Sequence, residues 1–412
     1  MTRRGELLTC DLICYGVASP RAWREYLDML GRHHGSPVVD YAHRGSGIRD
    51  RGDAVARYAD GTSESGTSRT RLWSRLWYKN LLRESCLACP HHSLARPGSL
   101  TIGDFWGLGR IAPELVDAWG VSCVLANDER GLAFLDSARG ALELLETTVG
   151  AVANPDQPML SHSPDQGRGE AFWSRERAVG FEEACRKLGL LGPARAFRDL
   201  VSRGAARGGE EGLERVPWPS DGALPSGPSG EVTWPRAFAA RNRSEEVRRM
   251  SSSGGVFLAL ADEALRRGGV VYGCAYDAEL RAVHVRCETM TDVLRCVGSK
   301  YVQSDLGHAL RALLDDLDAG RFVLFTGTPC QVAAARRLAE GRGVAGTRSR
   351  RAGVAQVPAL FRSREECCGC SACATACAHG AIEMRADEKG FLYPTVNAAS
   401  CVRCGNCLSA CP

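Results

Sequence analysis

Two runs, "CCGCSACATAC" at 367–377 and "CVRCGNCLSAC" at 401–411, place nine of the chain's nineteen cysteines within 45 residues. Cys367, Cys370, Cys373 and Cys377 follow C-x-x-C-x-x-C-x-x-x-C; Cys401, Cys404, Cys407 and Cys411 repeat the spacing, with Pro412 after the last thiol. Thiols two residues apart can curl around one iron–sulfur cubane, because the residues between them form tight turns, while the fourth points away toward a neighbouring cluster. The spacing therefore assigns Cys367, Cys370, Cys373 and Cys411 to one 4Fe-4S cluster and Cys401, Cys404, Cys407 and Cys377 to a second. Structural zinc sites use paired C-x-x-C units, not doubled quartets. Cys368 is an extra thiol, and Ala378 stands where proline is usual.

The doubled run resembles the ligand pattern of bacterial two-cluster ferredoxins. Small residues between the ligands, among them Gly369, Ser371, Ala372 and Gly405, suit tight turns, and "AIEMRADEKGFLYPTV" reads as a β-hairpin turning near Glu388–Gly390. A unit this small cannot be held by apolar burial alone, so bound clusters are expected to supply much of its folding energy. Such a module moves single electrons and performs no substrate chemistry. The rest of the chain must then supply a donor, an acceptor or a docking surface.

Composition narrows the choice. The 412 residues are 44% hydrophobic and 24% charged, with formal net charge +4, a diffuse excess that argues against nucleic-acid binding. No run approaches the about 20 apolar residues of a membrane span. The opening "MTRRGELLTCDLICYG" does not read as a signal peptide. An odd, high cysteine count without export favours metal over disulfides and a cytoplasmic, reducing setting.

Residues 236–340 read as α/β. "RSEEVRRM" is helical, "SSSGG" (Ser251–Gly255) opens the apolar helix "VFLALADEALRRGG", and "VVYGCAYD", "AVHVRCET" and "RFVLFTG" are strands. "LGHALRALLDDLDAG" and "TPCQVAAARRLAEG" are helices, the latter with Thr328 as N-cap and Pro329 in its first turn. Glycines with serine hydroxyls at a helix N-terminus suit a phosphate, although a plain N-cap would look the same. Residues 5–190 form a second α/β stretch, in which "ELLTCDLICYG" is a strand reaching Cys14 ahead of a helix capped by Ser19. Cys14 and Cys330 thus share a setting, a strand end before a helix, where ligands collect in open α/β sheets. With Cys86 and Cys89 of "ESCLACPHH" they make four loop thiols, either one more cubane or two buried thiols and an incidental C-x-x-C.

Other residues carry bland expectations. His91 and His92 read as a solvated loop pair rather than ligands of a zinc site; Asp104 of "GDFWG" as a proton shuttle or a backbone cap; Trp73, Trp77 and Tyr78 as core rather than a flavin shelf. Cys10, Cys123, Cys185, Cys274, Cys287 and Cys296 read as small buried hydrophobes. No catalytic residue is named.

"SSSGGVFLALADEAL", "VVYGCAYD", "GSKYVQSDLG", "LFTGTPCQ", "CDLICYGVASPRAWREYL", "CLAC" and "TIGDFWG" resemble the coenzyme F-420 hydrogenase/dehydrogenase beta-subunit family, across most of residues 6–135 and 236–340. The resemblance implies a flavoprotein carrying FAD beside a 4Fe-4S cluster. It would place Ser251, Ser252, Ser253, Gly254 and Gly255 on the FAD phosphates and Lys300, Tyr301, Gln303 and Ser304 along the flavin. It also matches Cys14, Cys86, Cys89 and Cys330 to a third cluster. The order departs from the family, which runs ferredoxin, SSSGG half, CDLICYG half; here the CDLICYG half leads and the ferredoxin comes last. Either a long connector rejoins the halves or the reading frame is a rearranged or truncated gene.

The expected fold class is α/β, two halves forming one flavin- and cluster-binding unit, plus a small α+β two-cluster ferredoxin-like domain. Expected boundaries are 1–190 (CDLICYG half), 191–235 (linker), 236–341 (SSSGG half), 342–362 (linker) and 363–412 (ferredoxin). The expected function is an iron–sulfur flavoprotein oxidoreductase, or an electron-transfer subunit of one. It would pass electrons between two or three 4Fe-4S clusters, FAD and a deazaflavin-like or other organic partner. A redox partner protein or subunit is expected, with no nucleic acid and no membrane span. The alternative is a ferredoxin-type carrier without flavin or substrate chemistry, or a rearranged product in which only the ferredoxin works.

Overall fold

The strands with the most continuous apolar runs lie at the centre of the fold. In the computed structural model, β1 (Leu7–Leu12) and β11 (Val323–Gly327) pair in parallel, Leu7 opposite Val323 and Asp11 opposite Gly327. All five residues of β11 are buried and so are the first five of β1, as strands covered on both faces require. The description covers residues 6–45, 53–116, 119–165, 167, 169–191, 233–341 and 356–412. Most of both expected linkers, 192–232 and 342–355, lies outside the described residues.

Around that pair runs one eight-stranded sheet. It contains β5 (Leu100–Asp104), β6 (Ser122–Ala126), β7 (Leu142–Thr147), β8 (Arg236–Asn242), β9 (Val270–Tyr276) and β10 (Ala282–Cys287), in the order β10-β9-β11-β1-β5-β6-β8-β7. The CDLICYG and SSSGG segments are interleaved within it. Strand β8, from the second segment, sits between β6 and β7 of the first. They form a single α/β layer structure, because neither segment alone closes the hydrogen bonding of its own strands.

One face of the sheet buries Leu8, Leu100 and Leu324 against helices Glu129–Ser137 and Val256–Arg266. The other buries Leu7, Val323 and Phe325 against helices Ala309–Asp318 and Pro329–Ala339. Thr328 caps the last helix in a capping box with Gln331. Helix Pro20–His34, capped by Ser19, covers a separate aromatic cluster with the small sheet β2 (Val38–Ala42), β3 (Val55–Tyr58) and β4 (Ser63–Ser65). Trp73 and Trp77, on helix Leu72–Asn80, are buried in that cluster.

The C-terminal module contains the hairpin β12 (Ile382–Ala386) and β13 (Leu392–Val396), which turns through Gly390 at φ +83°. It packs against the body of the protein. Cys370, Ala372, Ala376 and Ala410 join the apolar cluster of helices Ala309–Asp318 and Pro329–Ala339. Basic side chains of the body donate to its carbonyls: Arg337 to Ser409 at 2.8 Å, Arg21 to Glu388 at 2.7 Å, and Arg311 to Thr375. Among the described residues, no helix is long and apolar enough to cross a membrane.

Candidate functional site

The two cysteine runs fold as their spacing suggests. Gly369 (φ +70°) and Ser371 (φ +59°) reverse the chain ahead of the short helix Ala372–Thr375, which carries Cys373. Arg403 (φ +58°) and Gly405 (φ +76°) do the same ahead of helix Asn406–Ala410, which carries Cys407. Cys377, Cys401, Cys404 and Cys407 line one hollow, walled also by Pro358, Ile382 and Val396. The other quartet gathers beside it. Burial, then the neighbouring Cys367 and Cys411, push the Cys373 thiol up to about 12. Burial and Cys367 raise Cys411 as well.

Cys411 faces Cys367 and Cys373, while Cys377 faces the 401–407 run. Thiols crowded in this way resist ionisation unless a cationic centre sits among them, which is the condition a metal cluster supplies. Among the described residues, no group of three or more His, Cys, Asp or Glu closes on a single metal ion. A cubane holds its thiolates farther apart than one ion does, so a cluster site and a single-ion site ask for different thiol spacings.

A third set lies at the C-terminal edge of the central strands. Because β1 and β11 are neighbours in register, Cys14, just beyond β1, and Cys330, in the first turn of helix Pro329–Ala339, arrive side by side. The turn Glu84–Cys86 brings Cys86 and then Cys89 to the same place. Burial raises the Cys14 thiol well above its usual value, and Cys86, Cys330 and Cys89 raise it further. Gly16, at φ +137°, packs so tightly that a Cβ there would lie 3.1 Å from Cys86 Cβ. The four loop thiols thus form one group, which fits a further cubane.

Two neighbours of this group were not legible in the sequence. His92, expected as a solvated loop residue, is buried, with Nε2 2.8 Å from the Cys14 carbonyl and Nδ1 3.0 Å from Ser163 Oγ. Cys368, the extra thiol, lies against Cys330 on one side and Cys370 on the other. The third thiol group and the C-terminal module are therefore in direct contact. No local pattern announces such a contact between residues 330 and 368.

The segments compared with a nucleotide site meet at another point of the same edge. Ser251 Oγ donates to Val247 O at 2.8 Å, Ser253 Oγ to Val121 O at 3.1 Å, and Ser252 Oγ accepts the Ser299 N–H at 2.8 Å. Gly254 lies against the sheet, where a Cβ would meet Ala240 O at 2.4 Å. Gly255 (φ +79°) then starts helix Val256–Arg266. Lys300 is half-buried, its ammonium desolvated so that its pKa falls, and it donates to Val297 O at 2.9 Å. Tyr301 stacks on Trp77 and accepts from Arg44 Nη2 at 3.1 Å.

Arg44 also donates to Ser252 O at 2.7 Å and to Asp104 at 2.5 Å. Burial would raise the Asp104 carboxyl, but Arg44 outweighs it and holds the group below its usual value. Asp104 is thus an ion-pair partner, a role the sequence did not suggest. Burial, with Lys300 and Arg44 nearby, drives the His43 ring down to about 3 and keeps it neutral. Two cations, a helix N-terminus and an aromatic ring fit an anionic, planar group. Gln303 and Ser304 are committed elsewhere. Gln303 Oε1 accepts the Leu392 N–H of the C-terminal module at 3.0 Å, and Ser304 joins a buried network with His284 and Gln331.

The remaining thiols are structural in placement. Cys10, Cys123, Cys185, Cys287 and Cys296 are buried, with Cys287 and Cys296 Sγ 3.8 Å apart, and Cys274 is half-buried.

Three family models match the chain: the C terminus of the coenzyme F420 hydrogenase/dehydrogenase beta subunit over residues 2–149, the N-terminal part of the same subunit over 237–311, and a 4Fe-4S dicluster domain over 366–412. The chain belongs to the coenzyme F420 hydrogenase/dehydrogenase beta-subunit family. No curated protein and no solved structure matches it. As a member of this family it is an iron–sulfur electron-transfer protein of oxidoreductase type, its C-terminal module a 4Fe-4S dicluster domain. The beta-subunit parts occur in reversed order, C-terminal part first. The sheet absorbs the reversal, because β11 and β1 lie side by side whichever of them the chain visits first.

Proposed function

We propose that the protein is an iron–sulfur flavoprotein that passes electrons between an organic two-electron partner and a redox protein. Cys367, Cys370, Cys373 and Cys411 would hold one 4Fe-4S cluster, Cys401, Cys404, Cys407 and Cys377 a second, and Cys14, Cys86, Cys89 and Cys330 a third. The unit at 1–190 with 236–341 would be the flavin and third-cluster body, and 363–412 the electron outlet. Nineteen free thiols suit a reducing, cytoplasmic compartment.

One observation carries the reading: the four loop thiols form a single group that touches the C-terminal module through Cys330 and Cys368. Three adjoining thiol groups make a continuous route for single electrons. FAD, when bound, takes up a hydride's two electrons together and releases them singly to one-electron centres. Ser251, Ser252, Ser253, Gly254 and Gly255 would border its phosphates at the start of helix Val256–Arg266. Arg44 and Lys300 would balance their charge, and Tyr301 would flank the ring. Gln303 and Ser304 would brace this loop against the C-terminal module and helix Pro329–Ala339. A deazaflavin-like compound is the proposed organic partner.

A second reading, a carrier without flavin, is favoured by one specific arrangement: the hydroxyls of Ser251 and Ser253 are engaged with backbone, and Arg44 spans the gap between Ser252 and Asp104. Anaerobic purification separates the two readings. Iron at about 12 per chain with released FAD supports the flavoprotein, with four irons per cubane. Iron at about 8 without FAD supports the carrier. Cys14→Ser and Cys330→Ser should each lower iron from about 12 to about 8 while leaving the C-terminal pair intact.

A further inference from the structure

Arg83 stands at the junction between the loop thiols and the C-terminal module, and the function described so far gives it no task. It is among the largest fully buried side chains of the protein, at 0% exposure. Its backbone carbonyl accepts the Cys86 N–H at 2.9 Å, so it starts the turn that presents the C-x-x-C pair. Its guanidinium reaches across the junction. Nε donates to the carbonyl of Cys367 at 2.9 Å and Nη2 to the carbonyl of Leu392 at 3.0 Å. The ring of Tyr393 lies 4.0 Å from its central carbon.

Nη1 is buried without a hydrogen-bond partner, pressed toward Gly369, where a Cβ would come within 3.1 Å of it. Among the described residues, no carboxylate forms an ion pair with this side chain. A buried cation left without a counter-anion is costly. Two carbonyls and an aromatic face offset only part of that cost. The cysteines flank it on both sides: Cys86 lies in the turn that Arg83 starts, and the Cys367 carbonyl accepts its Nε–H.

We propose that Arg83 is the counter-cation shared by the loop-thiol cluster and the Cys367 cluster, raising the reduction potential of both. The inference rests on the three-cluster reading above. Each centre gains one negative charge when it accepts an electron, and a fixed buried cation beside it favours that state. One electron moves between the two centres without any bond forming or breaking, and Arg83 exchanges no proton. Its role is to position charge, and the centre held by Cys401, Cys404, Cys407 and Cys377 lies beyond its direct contacts.

The test is an EPR-monitored potentiometric titration of the full-length holoprotein, anaerobically prepared as wild type, Arg83→Gln and Arg83→Lys. Glutamine keeps a planar donor but no charge; lysine keeps the charge but not the fork. At unchanged iron content, Arg83→Gln should lower two of the three midpoint potentials and leave the third in place, while Arg83→Lys should hold all three near wild type. Unchanged potentials in Arg83→Gln at full iron would overturn the proposal. If Arg83→Gln fails to assemble, Arg83→Lys decides alone: wild-type potentials support a role for charge, and two lowered potentials overturn it. About 8 irons in the wild type would instead remove the three-cluster reading itself, a failure distinguishable by iron count before any titration.

Discussion

The indole of Trp77 and the phenol of Tyr301 lie face to face, their centroids 4.8 Å and their planes 8° apart. They come from segments more than two hundred residues apart, and the stack fixes the GSKYVQS loop against helix Leu72–Asn80. Truncating a buried indole costs about 3–5 kcal/mol. Trp77→Ala should therefore lower the stability measured by urea unfolding by roughly that amount, and lower the FAD released per chain while iron content is kept. Unchanged FAD in the folded variant would separate Tyr301 from flavin binding.

The exchange of fourth ligands can be read one thiol at a time. Cys377→Ser should alter the same EPR signal as Cys404→Ser, because both line one hollow. Cys411→Ser should alter the signal that Cys370→Ser alters. The opposite pairing, each fourth cysteine acting with its own run, would contradict the assignment.

Gly369 sets how closely the C-terminal module docks. Its φ of +70° disfavours a side chain, and a Cβ would come within 2.5 Å of Gln303 Nε2 and 2.7 Å of Leu392 O. Gly369→Ala should loosen the module, at a cost of about 1–3 kcal/mol for the left-handed backbone alone. Limited proteolysis between 342 and 362 should then release a fragment faster than in wild type. Equal cleavage rates would show that the contact does not secure docking.

His284, on β10, is buried, with Nε2 3.1 Å from Thr326 O of β11 and Nδ1 3.2 Å from Ser304 Oγ. Burial lowers its pKa to about 4. The folded protein thus takes up its proton less readily than the unfolded chain, whose histidines titrate near about 6.5. The stabilising difference is complete above about pH 6.5 and disappears as pH falls toward about 4. Between pH 7 and about 5.5 this one residue should cost roughly 1 kcal/mol. Urea unfolding should show the loss in wild type and a correspondingly smaller loss in His284→Gln.

The C-terminal module was the most legible part, since cubane ligation demands a fixed order of turns and thiols that spacing alone records. The elements around the SSSGG and TGTPCQ segments were equally legible, because β-branched runs, leucine periodicity and caps are local signals. Within the GSKYVQS segment, Ser299 meets Ser252 and Tyr301 reaches it through Arg44, whereas Gln303 and Ser304 turn to the C-terminal module and to His284, a division that strand-end geometry decides and residue type does not.

What the amino-acid order alone determined was chemistry that depends on neighbours in the chain: that residues 366–412 are a 4Fe-4S dicluster domain, which segments make strands and helices, and where the caps fall. Only the folded chain decided what depends on distant neighbours. The parallel pairing of β1 with β11 brings Cys14 beside Cys330, the strand β8 slots between β6 and β7, and the buried guanidinium of Arg83 spans from Cys86 to Cys367. Such contacts come from packing and hydrogen-bond satisfaction across the whole sheet, so no short window of residues encodes them.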